Sequence, residues 1–399
     1  MEAVVISTSG AQAVADAREA ICAGKNVIIL SKGFTVAEEI ELKRKASSAK
    51  TILLGPGCGT SLLYGKGFGV WNSVKKGPIG LICTHGSGLR ELSCLVDDVG
   101  VSHALGVGPR DMSQAVGATG TLSALKFLEK DENTDVIVVA GPAPSTSISR
   151  KIMDSIKNLR KPAVMCFLGA TQLKSKKAPL AKTLEEAADF ALSIHRGEEP
   201  RLGTYTLESE HEIVIEQERA KLGYGQRYVR GLYSGWMLCT EAQIVLQDLI
   251  GTVRSNVPLK PRLRLPDPRS SRGHACIDIG ALESPTQQPA VNLDGQRMRI
   301  LKEARDWEIG TLVLDVVLGH GAHPDPSQVI SEAVSEAKRI VEKNMGYLSV
   351  IASIAGTKGD PQDLTSQRRK LERAGVVIAR SNASAARMAA AIVQRKSKI

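Results

Sequence analysis

The sequence has few aromatic residues, no paired cysteines and no long apolar run, and each shortage excludes a class of protein. Aromatic side chains make up only 4% of the 399 residues, so a nucleic-acid surface built on base stacking is not expected. The seven cysteines are spread singly without a C-x-x-C pair, which argues against a disulfide framework and a zinc site. No apolar run approaches the roughly 20 residues of a membrane span, and the N-terminus lacks an export-signal pattern.

Positive charge exceeds negative charge, but it is not gathered in one segment. The formal net charge is +10, and the densest basic stretches are residues 174–177, 262–272 and 395–398. This distribution indicates attraction for acidic metabolites or a partner subunit rather than for DNA. The last three residues, Ser397 to Ile399, come near the peroxisomal S-K-L signal, but isoleucine replaces leucine, so a cytoplasmic location is favoured.

Short apolar runs alternate with segments of helical periodicity along most of the chain. This alternation predicts α/β domains whose parallel sheets are covered on both faces. We predict a partial Rossmann-like segment at residues 1–74, which lacks the first βαβ unit of a dinucleotide-binding domain. A first doubly wound domain is predicted at 75–196, a linker at 197–225 and a second doubly wound domain at 226–399.

Local signals predict where several helices begin. Thr35 with Glu38, and Thr183 with Glu186, have the spacing of capping boxes. Asp325-Pro326 and Asp360-Pro361 each predict a helix start. Within the linker, residues 213–215 are predicted as an exposed strand.

The stretch at residues 77–91 (GPIGLICTHGSGLRE) predicts a buried strand, a glycine-bearing turn and a helix. Such a turn directs several backbone N–H groups and the positive end of the helix dipole at one point, which favours phosphate, carboxylate or acyl phosphate. The alternative is an ordinary turn that needs glycine for its backbone geometry. A similar turn at Ser234 and Gly235 opens a helix in the second domain. We predict one site shared by the strand-end loops of both domains.

A polar cluster in the second domain consists of Asp315, His320, His323 and Asp325. His-x-x-His with nearby carboxylates can bind a metal, but a loop imposes no fixed geometry on it, so loop hydrogen bonding is favoured and no metal is predicted. Asp315, His320 and His323 are the candidate catalytic residues. Cys58 is interpreted as a buried structural thiol because no histidine is placed beside it.

The motifs together resemble those of succinyl-CoA synthetases. Segments similar to the α-subunit are residues 55–60 (GPGCGT), 77–80 (GPIG) and the Ser87-Gly88 turn. Segments similar to the ligase domain of the β-subunit are residues 231–242, 274–278, 314–322 and 355–358. The fused order, with residues 106–111 and 356–362, is most similar to the FdrA family of acyl-CoA-synthetase-like proteins. This resemblance covers nearly the whole chain and implies that both doubly wound domains are flavodoxin-like.

The resemblance implies a set of substrate- or phosphate-binding residues at the strand ends. They are Thr84, Gly86, Ser87, Gly88, Ser234, Gly235, Gly319, Gly321, Gly356 and Thr357. The sequence departs from the synthetase pattern at two catalytic positions. Residues 169–174 contain no histidine where the synthetase phosphohistidine sits, and the supporting glutamate is absent near Gly141-Pro142. Phosphoryl relay through histidine is therefore predicted to be lost.

FdrA-type proteins are associated with oxamate carbamoyltransferase in anaerobic allantoin breakdown, so the resemblance implies a multi-subunit carbamoyl-transfer enzyme. Its substrates would be carbamoyl phosphate and a small 2-oxo acid amide such as oxamate. One alternative is an acid–CoA ligase with an acyl phosphate intermediate, and only this alternative requires CoA, nucleotide and Mg²⁺. Another is a non-catalytic scaffold or metabolite-sensing subunit. Other subunits or further copies of the chain are the expected partners; nucleic acid and membrane are not.

Overall fold

Three sheets form the fold in the part of the chain that the structure, a computed structural model, describes: residues 3–170, 178–200, 209–282 and 290–394. One sheet has three strands and two have six. The chain divides into two compact units, Met1–Arg201 and Leu202–Ile399. The first unit contains the small sheet and one large sheet, and the second unit contains the other large sheet.

Several features of the sequence lie outside the described residues. They are the basic stretches at 174–177 and 395–398, the C-terminal tripeptide, and residues 201–208 of the predicted linker. Within the described ranges, no helix combines the length and the apolar character needed to cross a membrane.

Residues 3–54 form a small parallel α/β layer. Its strands β1 (Ala3–Ile6), β2 (Asn26–Ile29) and β3 (Leu53–Leu54) pair in that order and are all parallel. Helices α1 (Gly10–Cys22) and α2 (Val36–Ser48) connect them. The predicted capping box opens α2, because the Thr35 side chain accepts from the Glu38 N–H and the Glu38 carboxylate accepts from the Thr35 N–H. This layer covers residues 3–54 of the segment predicted at 1–74, whereas the strands at residues 60–63 and 66–69 pair in the first large sheet.

The first large sheet follows directly. Its strands are β4 (Thr60–Leu63), β5 (Lys66–Gly69), β6 (Lys76–Cys83), β7 (Val101–Gly106), β8 (Val136–Pro142) and β9 (Ala163–Leu168). Its helices are α3 (Gly86–Leu95), α4 (Thr119–Lys130), α5 (Thr146–Lys157) and α6 (Leu184–His195). The strand order is β5-β4-β7-β6-β8-β9. Strands β6 to β9 are parallel, as predicted, whereas β4 is antiparallel to both of its neighbours.

Sequence periodicity did not predict the β4–β5 hairpin. Its two turn residues, Tyr64 and Gly65, both have positive φ (52° and 72°), as a tight hairpin of the I′ type requires. A tyrosine in this position is uncommon, because a side chain disfavours the left-handed region. Its ring packs edge-on against His103, with centroids 4.9 Å apart.

The connections of this sheet change face between β6 and β8. Helix α3 follows β6 and packs with α6, whereas α4 follows β7 and packs with α5. Strand β6 therefore lies at a topological switch point, with the order 2-1-3-4 of a flavodoxin-like sheet. In sheets of this type, ligands bind outside the carboxyl ends of the strands at such a point.

The second large sheet has the same plan. Its strands are β10 (Tyr228–Tyr233), β11 (Val253–Ser255), β12 (His274–Asp278), β13 (Ile309–Val317), β14 (Ser349–Ala355) and β15 (Val376–Ala379). Its helices are α7 (Ser209–Lys221), α8 (Trp236–Ile250), α9 (Asp294–Glu303), α10 (Pro326–Lys343), α11 (Leu364–Arg373) and α12 (Asn382–Val393). The strands are all parallel in the order β11-β12-β10-β13-β14-β15. Helices α8 and α12 pack together, and α10 packs with α9 and α11, so the switch point lies between β10 and β13.

Two local predictions in this unit were wrong. Residues 213–215 are not an exposed strand but part of α7, with Ile215 only 3% exposed. The helix is attached to the sheet through Glu218, which accepts hydrogen bonds from the Tyr347 and Ser349 hydroxyls at 3.0 and 2.7 Å. Part of the predicted linker is therefore a helix of the second unit.

The predicted helix start at Asp360-Pro361 is also displaced. Helix α11 begins at Leu364, and the Asp363 carboxylate caps it by accepting from the N–H groups of Thr365 and Ser366. The Asp360 carboxylate instead accepts from the Thr357 N–H at 2.8 Å. Either aspartate could cap a helix. Because the Asp360 carboxylate bonds the Thr357 N–H, Asp363 is the residue that caps α11.

Candidate anion site

The turn between β6 and α3 has the geometry predicted for an anion site. Helix α3 begins at Gly86 with His85 as N-cap, and no side chain caps it. Among the described residues, no protein acceptor bonds the N–H groups of Gly86, Ser87 or Gly88. These N–H groups point along the helix axis towards the switch point between β6 and β8.

Close packing explains the glycine at the first position of α3. A Cβ on Gly86 would lie 2.8 Å from the Thr60 hydroxyl and 3.2 Å from the Gly59 carbonyl carbon. The same Thr60 hydroxyl accepts a hydrogen bond of 3.0 Å from the Arg90 guanidinium and donates one of 2.6 Å to the Val70 carbonyl. Arg90 is buried beneath the turn. The β4–β5 hairpin therefore holds the start of α3 in place.

His85 is a feature of this turn that the sequence interpretation did not single out. Its Nδ1 lies 2.8 Å from the hydroxyl of Thr84, which is 1% exposed. Burial lowers the pKa of His85 to about 4, so the imidazole is neutral at pH 7 and adds no charge to the turn. Its position, at the end of a strand and immediately before the glycine turn, is the signal that could have identified it.

The corresponding turn in the second unit also starts a helix that no side chain caps, but a carboxylate of the protein lies beside it. The Asp315 carboxylate accepts a hydrogen bond of 2.7 Å from the Ser234 N–H, and its other oxygen accepts from the Ser234 hydroxyl. Asp315 is 1% exposed. In the first unit, the equivalent N–H of Thr84 bonds the Ala140 backbone carbonyl at 3.2 Å. The two turns are similar in topology, but a charged carboxylate lies beside the second and a neutral backbone carbonyl beside the first.

The loop after β13 contains the predicted histidines. Gly319 and Gly321 have φ of 111° and 74°, values that favour glycine. The Nδ1 atom of His323 accepts a hydrogen bond of 3.0 Å from the Asp325 N–H, so in the neutral ring Nε2 carries the proton. Gln362 joins this loop to the next one by bonding both the N–H and the carbonyl of Gly319, at 2.9 and 2.8 Å.

Asp325 serves the helix that follows. Its carboxylate caps α10 by accepting from the Gln328 N–H and also bonds Gln367 and Lys370. His320 lies in the same loop, partly exposed. Within the described ranges, no three His, Cys, Asp or Glu side chains converge as metal ligands do.

The remaining predicted residues lie at the end of β14. A Cβ on Gly356 would lie 2.6 Å from the Leu318 side chain, so this glycine allows close packing of neighbouring strand ends. The Thr357 N–H bonds the Asp360 carboxylate, as described above. In sheet order, β10, β13 and β14 are neighbours, which brings the three predicted loops of this unit to one edge of its sheet.

Two further residues of the first unit bear on its chemistry. Burial raises the pKa of the Cys58 thiol to about 11, and its sulfur lies 3.0 Å from the Ser61 hydroxyl, so it is poorly suited to act as a nucleophile. A Cβ on Gly141 would lie 2.6 Å from the Met112 sulfur and 3.1 Å from the Thr84 side chain. A side chain at that position would have to displace the Met112 side chain.

Comparison of the sequence with known proteins identifies the family of this chain. The sequence profile of the CoA-ligase family matches residues 232–392. The chain is 33% identical over 384 residues to the Escherichia coli (strain K12) protein YahF, covering 95% of this chain and 74% of YahF. The chain belongs to the FdrA-like family of succinyl-CoA-synthetase-related proteins. Its family therefore has a CoA-ligase-like fold.

Three further proteins share less sequence identity with this FdrA-like protein. It is 26% identical over 176 residues to subunit alpha 1 of an ADP-forming succinate–CoA ligase from Archaeoglobus fulgidus, which covers 43% of this chain and 59% of that subunit. A solved dinucleotide-forming acetyl-coenzyme A synthetase 1 of Ca. Korarchaeum cryptofilum, in complex with phosphate and ADP, matches 98% of this chain and 82% of its own at 15% identity and a TM-score of 0.38. ATP citrate lyase from Methanothrix soehngenii, in complex with citrate and coenzyme A, matches 54% of this chain and 43% of its own at 13% identity and a TM-score of 0.39.

Proposed function

We propose that this FdrA-like chain is a subunit of an acyl-transfer enzyme of the acid–CoA ligase type, and that it holds the phosphate of an acyl phosphate at the start of α3. The observation that carries the proposal is the uncapped first turn of α3, whose N–H groups at Gly86, Ser87 and Gly88 meet no protein acceptor among the described residues. The helix dipole favours an anion there by about 0.3–1 kcal/mol, and up to about 2 kcal/mol when partly buried. Charge-assisted N–H bonds add to this.

In an acyl phosphate, the bond that breaks joins the acyl carbon to the bridging oxygen of the phosphate. N–H groups that already hold the phosphate oxygens keep the departing phosphate in place without reorganisation. The turn can therefore stabilise the charge that develops on the leaving phosphate. In the second unit, the buried Asp315 carboxylate bonds Ser234 just before α8 begins. Its negative charge disfavours a second anion there, so the proposal assigns the phosphate to the first unit.

Acid–CoA ligation is the first candidate reaction. It is supported by the CoA-ligase profile across residues 232–392 and by the similarity to a succinate–CoA ligase subunit. In this reaction a nucleotide phosphorylates the acid, and the CoA thiol then displaces the phosphate. The reaction would require nucleotide, Mg²⁺ and CoA.

Carbamoyl transfer from carbamoyl phosphate to an oxamate-like amide is the second candidate. Two observations favour it: residues 169–174 contain no histidine, and the supporting glutamate is absent near Gly141-Pro142, where Met112 and Thr84 pack closely. Carbamoyl phosphate is already an activated acyl phosphate, so its reaction needs no phosphohistidine. The acceptor nitrogen attacks the carbamoyl carbon, and inorganic phosphate leaves.

An assay of phosphate release distinguishes the two reactions. The chain, with the subunits that co-purify with it, is supplied with carbamoyl phosphate and oxamate but no nucleotide. In parallel it is supplied with a short-chain acid, ATP, Mg²⁺ and CoA. Phosphate release in the first mixture supports carbamoyl transfer, and CoA-dependent release in the second supports ligation. No release in either mixture would support a scaffold or sensing role and contradict the proposal.

Substitution in the turn tests the site itself. Ser87→Asp places a carboxylate at the second position of α3, where it repels the substrate phosphate while remaining compatible with the helix dipole. We expect kcat/KM to fall roughly tenfold or more, because a charge-assisted hydrogen bond contributes about 1.5–3 kcal/mol. Ala37→Asp, at the second position of the capped helix α2, is the matched control and should leave activity unchanged. Wild-type activity of Ser87→Asp at limiting substrate would show that the turn is only structural.

A further inference from the structure

The second unit contains a cavity that the proposed function does not use. It has a volume of about 380 Å³ and is lined by Tyr228, Ile250, Thr252, Arg254, Arg272 and His274, together with the Gly273 backbone. Tyr228 and His274 are the first residues of β10 and β12, so the cavity lies at the amino edge of the sheet. The strand-end loops of the candidate site lie at the opposite, carboxyl edge.

The lining of this cavity is basic. Arg254 and Arg272 contribute two guanidinium groups, and no carboxylate lines the cavity. Neither arginine takes part in an ion pair between described residues. The carboxyl end of α8 borders the cavity through Ile250, but the helix dipole contributes only about half a negative charge. The cavity therefore favours an anion.

The loop that carries Arg272 is fixed from below by buried charged residues. The Ser271 hydroxyl donates to the Glu303 carboxylate at 2.7 Å and accepts from the Arg299 guanidinium at 2.7 Å. Arg299 also donates to the Pro268 carbonyl at 3.0 Å. The residue before Arg272 is thus held by a buried ion pair.

The residue after Arg272 is held in the same way. Arg230, which is 1% exposed, donates to the Gly273 carbonyl and pairs with Glu303 at 3.1 Å and with Asp306 at 2.6 Å. Burying such a network costs desolvation, and here it fixes the backbone on both sides of an unpaired guanidinium. The Cα of Arg272 is therefore held at the mouth of the cavity, while its exposed side chain supplies the guanidinium.

His274 completes the polar lining as a neutral donor. Its Nδ1 accepts a hydrogen bond of 3.1 Å from the Val229 N–H, so Nε2 carries the proton. Burial, together with the nearby charge of Arg230, lowers the pKa of His274 to about 4. Its ring packs edge-on against Tyr228 with centroids 5.3 Å apart, which orients the imidazole.

We propose that this cavity binds a doubly charged phosphate group, free or carried by a small metabolite, between Arg254 and Arg272. Ile250 and the Tyr228 ring supply apolar surface beside the phosphate. The volume is at the small end of the roughly 300–1,000 Å³ range of ligand sites, which suits a small phosphate-bearing molecule. The site gives a role to part of the basic stretch 262–272 and is independent of the turn at α3.

Calorimetric titration of the full chain with inorganic phosphate and with glycerol 3-phosphate tests the proposal. The Ser87→Asp background removes any contribution from the turn at α3. We expect Arg254→Gln and Arg272→Gln each to weaken binding roughly tenfold or more, since each removes a charge-assisted contact. Arg262→Gln is the matched control, because Arg262 and Arg272 are both exposed arginines of the same basic stretch, but Arg262 does not line the cavity.

Chemical labelling locates the binding directly. An arginine-directed dicarbonyl reagent, followed by peptide mass spectrometry, should show that phosphate protects Arg254 and Arg272 but not Arg262. Tighter binding of glycerol 3-phosphate than of phosphate would indicate a phosphorylated metabolite, and equal binding would indicate free phosphate. Absence of binding, or equal weakening by Arg262→Gln, would overturn the proposal.

Discussion

Substitution of the buried Lys43 tests which contacts hold the first unit together. Its ammonium group lies 2.7 Å from the Asp111 carboxylate and 2.9 Å from the Glu39 carboxylate. It also donates to the Val107 carbonyl at 3.0 Å. The exposed fractions of Lys43, Asp111 and Glu39 are 2%, 0% and 1%. This network joins α2 of the small layer to the loop before α4 of the large sheet.

The substitution Lys43→Met keeps most of the side-chain volume and removes the charge. Asp111 would retain bonds from the Gly120 and Thr121 N–H groups, at 2.8 Å each, and Glu39 would retain Arg110 at 2.9 Å. Each of these two buried carboxylates would nevertheless lose its ion pair with the Lys43 ammonium group. Removing one member of a buried ion pair costs about 3–5 kcal/mol, because the remaining charge is left uncompensated.

The expected loss is measurable as a lower unfolding temperature of the first unit. For a unit of about 200 residues, 1 kcal/mol shifts Tm by roughly 2–4 °C, so Lys43→Met should lower Tm by roughly 6 °C or more. Differential scanning calorimetry of the full chain resolves the transitions. Hydrogen exchange then assigns the destabilised one through α2 and α4.

Lys45→Met is the matched control, because Lys45 pairs with Glu41 at 3.2 Å on the exposed side of the same helix, with 46% and 36% of the two side chains accessible. An exposed pair of this kind contributes about 0.2–1 kcal/mol, so its loss should shift Tm little. If Lys43→Met proved as mild as Lys45→Met, the buried network would not hold the two layers together, and the argument from burial would be wrong.

Three further predictions each concern the surroundings of one residue. Cys58, whose pKa burial raises to about 11, should resist a thiol reagent at pH 8 that labels the exposed Cys22; equal labelling rates would contradict its burial. Gly141→Ala should destabilise the protein by about 1–3 kcal/mol in urea unfolding, whereas Gly59→Ala, with no atom within 4 Å of its Cβ, should be tolerated. Burial opposes ionisation of Glu218, but hydrogen bonds from Lys221, Ser349 and Tyr347 lower its pKa. It should therefore stabilise α7 above the unfolded pKa of about 4.3 and lose that effect as pH falls through the lower folded value; Glu218→Gln should flatten this dependence of α7 hydrogen exchange, and an unchanged acid limb would refute it.

Most of the fold could be predicted because its signals are local. The run Ile79 to Cys83, the glycines at 86 and 88 and the helical spacing after them lie within about fifteen residues, and the structure has β6, the turn and α3 where they indicate. The capping signals at Thr35, Thr183 and Asp325 were likewise confirmed. Such features depend on neighbours three or four positions away, which are visible in the chain itself.

The residues that distinguish the two strand-end turns were not predictable in the same way. Ser234 and Asp315 are 81 positions apart, and they meet only because β10 and β13 are neighbours in the sheet. In the first unit the equivalent strand has Ala140, so the same topology leaves a backbone carbonyl beside Thr84. Sequence similarity between the turns therefore predicted two equivalent anion sites, whereas in the structure the first turn has a backbone carbonyl beside it and the second a buried carboxylate.

The sequence by itself determined the α/β class, the parallel sheets and the family, because periodicity, glycine positions and caps act over a few residues. Only the tertiary structure decided which carboxylates are already bonded, that α7 belongs to the second unit, and that Arg254 and Arg272 line one cavity. These depend on which strands and loops become neighbours, and a buried charge takes its partner from whatever element packs against it. Local sequence patterns determine where helices and strands form, and the packing of distant segments determines which charged groups become partners.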